Sequence, residues 1–221
     1  MFEKVEITYK RVKNLKISVK ASGVNVVAPI GISQTKILDI LKEKAKWIEK
    51  QQNRISLNNK FDYSQVTFSN MDEVYFLGEK HTIQLIDSVN NLIHEKDGVL
   101  KFYLNSSVIN NVKFRQKLFH EFIFDRADII LNNLVAKYLK ITNQEIERVS
   151  IKKMRTRWGS CNHVKRTINL NVDLILRNIK SIEYVVLHEI AHLTHPNHSR
   201  EFYKYIEQYM PDWKARERAI K

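Results

Sequence analysis

Leu187-His188-Glu189-Ile190-Ala191-His192, followed at once by Leu193-Thr194-His195-Pro196-Asn197-His198, is the stretch on which the reading of this chain turns. Two helical residues four apart lie about 6 Å from each other along the axis and less than half a turn apart around it. His188 and His192 can therefore present both imidazoles to one ion, a zinc-site spacing. Glu189, one residue after the first histidine, is placed to accept a proton from a metal-bound water rather than to bind the metal. A H-E-x-x-H run arises by chance in about 2% of chains of this size and composition, so the flanking residues must decide. Ile182, Val186, Leu187, Ile190 and Leu193 fall on the helix face opposite the two histidines. A helix of this kind packs one side into a core and turns the other toward a cleft, which is the arrangement of a metal-dependent hydrolase.

A catalytic zinc usually has three protein ligands. His195 lies on the same helical face as His188 and His192, but Pro196 pushes the residue before it out of the α region, so the helix should already be ending there. His195 is also about 10 Å along the axis from His188, a long reach for a single ion. His198, just before the Ser199 cap of the next helix, lies where the chain turns and can fold back. It is the preferred third ligand, with His195 the alternative; no downstream glutamate (Glu201, Glu207 or Glu217) stands out as a ligand.

The chain has 221 residues, 43% of them hydrophobic, enough for a real core. Its one cysteine, Cys161, excludes an internal disulfide and suits a reducing compartment. The N-terminal MFEKVEITYK lacks the apolar run of a signal peptide, and no eighteen apolar residues follow one another. A soluble, cytoplasmic protein with no membrane partner is expected. The net charge of +13 is uneven: +8 over residues 1–60, −4 over 61–110 and +9 over 111–221. Such a balance favours polyanions such as nucleic acid, but no recognised nucleic-acid motif accompanies it, and a solvated lysine-rich surface is the simpler reading.

Alternation of apolar and polar residues predicts strands over residues 2–28, read as a small antiparallel sheet with Lys16, Ser18 and Lys20 on its outer face. One helix is expected over Ser33–Arg54, capped by Ser33 and buried through Ile37, Leu41, Ala45 and Ile48, with Trp47 against the sheet. After a polar link near 57–69, strands are expected at Val74–Leu77, Thr82–Ile86 and Val99–Leu104. A long helix follows over Phe114–Tyr138, in which His120-Glu121 is a decoy because Phe124 takes the place of the second ligand. Next come a strand at Arg148–Lys153, a turn around Arg157-Trp158-Gly159-Ser160, a strand at Ile168–Leu170, a helical piece at Val172–Leu176, and the histidine helix with Ser181 as N-cap. A helix from Ser199 and a short one after Pro211 end the chain. This is an α+β protein, divided into a β-rich region with one helix, 1–110, and a catalytic domain, 111–221.

The runs RTRWGSCN (155–162), INLN (168–171), YVVLHEIAHLTHPNHSREF (184–202) and YMPDW (209–213) resemble, in this order, the YgjP-like metallopeptidases, relatives of the SprT-like zinc peptidases. The N-terminal strands and the Trp47-Ile48 helix also fit, so the resemblance covers most of the chain. It implies a zincin-like metallopeptidase domain, with His188, His192 and His198 as ligands of Zn2+ and Glu189 as the catalytic glutamate. The expected activity is cleavage of peptide bonds in a peptide or protein by a glutamate-activated, zinc-bound water.

Around that centre, Arg157, His163 and Tyr203 are candidates to stabilise an oxyanion; only Arg157 lies inside a family motif, and a structural ion pair is its other reading. Asn169 and Asn171 are candidates to line a substrate strand laid along the sheet edge, and Trp158 is a substrate-side wall. Cys161 is read as a small buried residue, with a fourth zinc ligand as its alternative. Two rival functions are carried. Members of the family have also been described as metal-dependent pyrophosphatases acting on UTP, although this chain has only 5 glycines and no glycine-rich phosphate loop. A nucleic-acid-associated binding module with structural zinc would want four closed ligands and has no use for Glu189.

Overall fold

The computed structural model of the chain describes residues 5–20, 22–59, 63 and 66–220. Residues 2–4 and 21 of the expected N-terminal strands, and 60–62, 64 and 65 of the expected link, lie outside the described residues. The chain divides into two compact units, Met1–Asp62 and Tyr63–Lys221.

In the first unit, strands β1 (Val5–Lys10), β2 (Lys16–Lys20) and β3 (Gly23–Pro29) form a sheet of order β1-β3-β2. The sheet is mixed rather than antiparallel throughout. β2 reverses directly into β3, while β1 docks on the other edge of β3 and so runs parallel to it. Val24, Val26 and Ala28 of β3 meet Ile37, Leu41 and Ile48, and these six form the unit's buried cluster. Ser33 caps its helix as expected, its side chain accepting the Lys36 amide. The single expected helix is two, α1 (Gln34–Glu43) and α2 (Ala45–Asn59), interrupted at Lys44. Trp47, expected against the sheet, is 43% exposed.

The second unit begins with β4 (Glu73–Phe76), β5 (Glu79–Asp87), β6 (Leu92–Lys96) and β7 (Val99–Leu104), in the order β4-β5-β7-β6 with β5 and β7 parallel. Helix α3 (Val112–Thr142) outruns the expected span at both ends, capped by the Asn111 side chain and by Asn143 in the left-handed conformation. The boundary expected at 110/111 lies within this second unit. An aromatic core joins the sheet to α3: Phe68 and Phe119 lie tilted against each other at 4.7 Å, and Phe76 and Phe122 at 5.3 Å. The buried Arg115 on α3 also donates from Nε to the Thr67 carbonyl at 3.0 Å.

A second sheet follows, of β8 (Arg148–Lys152), β9 (Gly159–Asn162) and β10 (Thr167–Asn171) in the order β8-β10-β9. A 3-10 helix at Val172–Leu176 then leads to α4 (Ile179–Ala191), α5 (Arg200–Tyr209) and α6 (Trp213–Ile220). The N-cap of α4 is Asn178 rather than Ser181: the Asn178 side chain accepts the Ser181 amide at 2.9 Å, so the helix starts one turn earlier. The β4–β5 turn buttresses that start. Leu77 donates its amide to the Ile175 carbonyl, and a Cβ on Gly78, which has a φ of +80°, would lie 2.6 Å from Asn178 backbone atoms. Among the described residues no helix is long and apolar enough to cross a membrane.

Candidate metal centre

Helix α4 turns Ile182, Val186, Leu187 and Ile190 into the core, all of them fully buried, and leaves His188 half-buried on its other side. Regular helix stops at Ala191, and a hydrogen bond from the His195 amide to the Ala191 carbonyl closes the turn that follows. Pro196 lies just beyond, and Ser199 caps α5 through the Phe202 amide. This short excursion swings His198 back over α4.

The result is a convergence of three imidazoles. His188, His192 and His198 each offer one ligand atom, and these atoms lie within 4.8 Å of one another. Nε2 of His198 is 2.9 Å from Nε2 of His188. Two ligands at about 2.0–2.1 Å from one tetrahedral ion sit about 3.3 Å apart, and the His188–His198 spacing is close to that. The tautomers fit as well. His192 donates its Nδ1 proton to the His195 carbonyl at 3.1 Å, which leaves Nε2 as the lone pair. Burial pulls its pKa below the ordinary histidine value, further helped by His198 and His163, against the pull of the His195 carbonyl.

His195 does not join the group: it contributes its carbonyl, while its ring rests edge-on against Tyr205 at 5.3 Å. Phe202 of α5 is the floor of the site. It is fully buried and its ring centroid lies 5.0, 4.7 and 4.9 Å from those of His188, His192 and His198. Tyr203 stacks beside His198 at 6.3 Å and on Trp213 at 4.9 Å.

Glu189 is 6% exposed, and burial pushes its carboxyl up to about 8, with the Arg157 charge acting the other way. A carboxyl tuned toward neutrality in such a place is the kind of group that works as a general base or acid. Its seat is Gly159 of β9: a Cβ there would meet Glu189 Cγ at 2.6 Å and Oε1 at 2.7 Å. The sequence predicts a turn at Gly159, where the structure has a strand.

The remaining candidates separate. Arg157 is exposed and acts on Glu189 through charge. Trp158 carries the Arg177 guanidinium 4.8 Å over its ring, so part of that surface is covered. Asn171 is buried, and its side chain holds the Met154 and Arg157 carbonyls and the Met154 and Asp173 amides. It staples the loop before β9 and caps the 3-10 helix; it is not on a sheet edge. Asn169 donates to the Ser160 hydroxyl at 3.1 Å, from a strand with partners on both sides. The edge strands are β8 and β9. Cys161, two residues beyond Gly159, is not in the histidine group; burial, then the nearby Glu189, push its thiol up to about 11. Beyond it, Cys161, Asn162, His163, Val164 and Lys165 line a pocket of about 440 Å³ at the β9–β10 turn.

Over 41% of its length the chain is similar to crystal structures of two metallopeptidase zymogens, jannalysin of Methanocaldococcus jannaschii and abylysin of Pyrococcus abyssi. Identities are 23% and 22%, 92% and 90% of those chains are covered, and the TM-scores are 0.37 and 0.38. Comparison with curated proteins finds no match. The family model described as YgjP-like, metallopeptidase domain, matches residues 13–221. With nearly the whole sequence inside that match, the chain belongs to the YgjP-like family and is a metallopeptidase.

Proposed function

We propose that this protein is a zinc-dependent peptidase with a zincin-like catalytic region, in which His188, His192 and His198 hold the ion and Glu189 is the general base. The observation that carries the reading is the convergence of the three ligand nitrogens within 4.8 Å, next to a buried carboxyl on the same helix. Zinc bound there supplies a Lewis acid toward a peptide carbonyl and lowers the pKa of its water to about 7.

The chain's own residues do the rest. Glu189 takes the proton of the attacking water on its carboxylate and returns it to the leaving amine. Phe202 keeps the three rings in fixed orientation and excludes solvent beneath them. Arg157, whose charge already reaches Glu189, offsets negative charge that develops on the carbonyl oxygen. A peptide substrate lies along β9, the sheet edge that also seats Glu189, so its backbone hydrogen bonds set it against the catalytic carboxylate. A single cysteine supports a cytoplasmic setting.

The test is hydrolysis of casein-derived peptides and of UTP by zinc-loaded and chelated protein, with Glu189→Gln alongside. The reading expects peptide cleavage that needs metal and is abolished in a Glu189→Gln protein still holding zinc. Pyrophosphate release from UTP without peptide cleavage would replace it with nucleotide hydrolysis, and full activity of Glu189→Gln would remove both.

A further inference from the structure

The strand that seats Glu189 runs on into a pocket that has no part in the metal centre. β9 pairs with β10 in unbroken antiparallel register, Gly159 opposite Leu170 and Cys161 opposite Ile168. Side chains alternate along such a strand, so Cys161 lies on the face that Gly159 turns to Glu189, about 7 Å further along. Cys161, Asn162, His163, Val164 and Lys165 line the pocket, whose volume of about 440 Å³ is of the size that holds a small ligand or a side chain.

Its charge has one sign. The Asn162 side chain accepts the Lys165 amide at 2.9 Å and so shapes the turn that carries Lys165. Arg166, next in the chain, is committed elsewhere, to the Gln144 side chain and the Glu145 carbonyl. Lys165 is exposed and makes no ion pair among the described residues. Residues 148–171, which span β8, β9 and β10, hold seven Lys and Arg and no Asp or Glu. Asp173, just beyond them, is already paired with Lys153 at 2.7 Å. The field along this sheet therefore favours an acidic chain over a basic one.

An extended peptide laid along β9 has the same rise per residue as the strand. With its reacting carbonyl at Glu189, its side chain two residues away reaches the pocket. We infer that this pocket is a specificity subsite for an acidic side chain two residues from the scissile bond, with Lys165 as the residue that selects it. The inference rests on the peptidase reading above and adds the substrate class, an acidic peptide.

The experiment uses the zinc-loaded full chain and peptides of one parent sequence, cut at a bond located by mass spectrometry, with Glu, Gln or Lys placed two residues to either side of that bond. On one side, kcat/KM for the Glu peptide should exceed that for the Lys peptide about fivefold, and added salt should shrink the difference. Lys165→Glu should reverse the order and Lys165→Gln should flatten it. Lys96→Glu changes the net charge equally from the exposed side of another sheet and should leave the order as it is. The same ranking is expected in the Kd of uncleaved peptides on Glu189→Gln protein, read by fluorescence anisotropy. Equal rates for Glu and Lys peptides on both sides of the bond, or a preference that survives Lys165→Glu, overturn the inference and leave the peptidase reading standing. Absence of metal-dependent cleavage of every peptide is a different failure: it removes the peptidase reading, and this subsite with it.

Discussion

Gly159 and Glu189 are in such close contact that a Cβ on Gly159 would stand 2.6 Å from Glu189 Cγ and 2.8 Å from Cδ. Glu189 is held by the core around it and Gly159 by pairing with Leu170 on β10, so an added methyl group is accommodated mainly by turning the glutamate aside. A displacement of about 1 Å in a catalytic group can cost about 100-fold in rate. Gly159→Ala is therefore expected to lower kcat/KM on a peptide substrate by roughly that factor with zinc content unchanged. Wild-type rates in a zinc-loaded Gly159→Ala protein would show that the contact does not set the carboxylate.

Phe202 touches all three metal-site rings while contributing no ligand atom. Removing a fully buried phenylalanine costs about 3–5 kcal/mol, so Phe202→Ala should unfold at clearly lower urea concentration. Phe202→Leu should fold with a smaller loss yet bind zinc more weakly, because the rings lose a flat floor. The paired measurement is urea denaturation and chelator competition on both variants. Leu at wild-type zinc affinity would reduce Phe202 to a core residue.

His195 and His198 give opposite expectations for metal content. His198→Ala should lose stoichiometric zinc, since it removes one of three converging nitrogens. His195→Ala should keep it, because the part of His195 that serves the site is its backbone carbonyl, which alanine retains. Zinc measured by mass spectrometry after gel filtration decides the matter, and retention by His198→Ala with loss by His195→Ala would reverse the assignment.

The two supporting helices are tied to α4 at Glu183. Its carboxylate takes Lys137 of α3 at 2.7 Å and Arg216 of α6 at 2.6 Å. Burial by itself would raise the Glu183 pKa; the hydrogen bonds from Lys137 and Arg216 outweigh it and hold the carboxyl below its ordinary value. The sign follows: the folded-state pKa is depressed, so this contribution is fully present above the unfolded-state value near 4.5 and is lost as pH falls through the lower folded-state one. Glu183→Gln should cost about 1–3 kcal/mol at pH 7, most of it from the Arg216 arm, since Lys137 is half exposed and its pair is screened. The wild-type and variant stability curves should converge once the pH falls below the lowered folded-state value. Parallel curves across that range would contradict this account.

How legible the molecule was in its sequence differs from element to element. Asn111, Ser33 and Ser199 act as caps through side chains three residues before the amides they accept, a local geometry that any sequence reading can use. Ser33 and Ser199 were read that way. β9 was not legible: Gly159-Ser160-Cys161-Asn162 has little intrinsic preference for extended backbone, and it is a strand because β10 pairs with it. β6 was missed for a related reason, as Leu92–Lys96 alternates weakly and draws its structure from β7. The helix start at Asn178 rather than Ser181 was ambiguous because both residues cap well, and the earlier one prevails where Gly78 and Leu77 meet the chain.

The sequence by itself determined the metal-site helix. The i, i+4 spacing of His188 and His192, the acid between them and the apolar residues opposite are consequences of 3.6 residues per turn, and Pro196 sets an end to that helix within a few residues. Tertiary structure alone decided what surrounds it: Phe202 as the floor, Gly159 as the seat of Glu189, β9 rather than β10 at a sheet edge, and Tyr184 beside His188. The first set depends on distances fixed along the backbone. The second depends on which surfaces pack together, and no spacing along the chain encodes that.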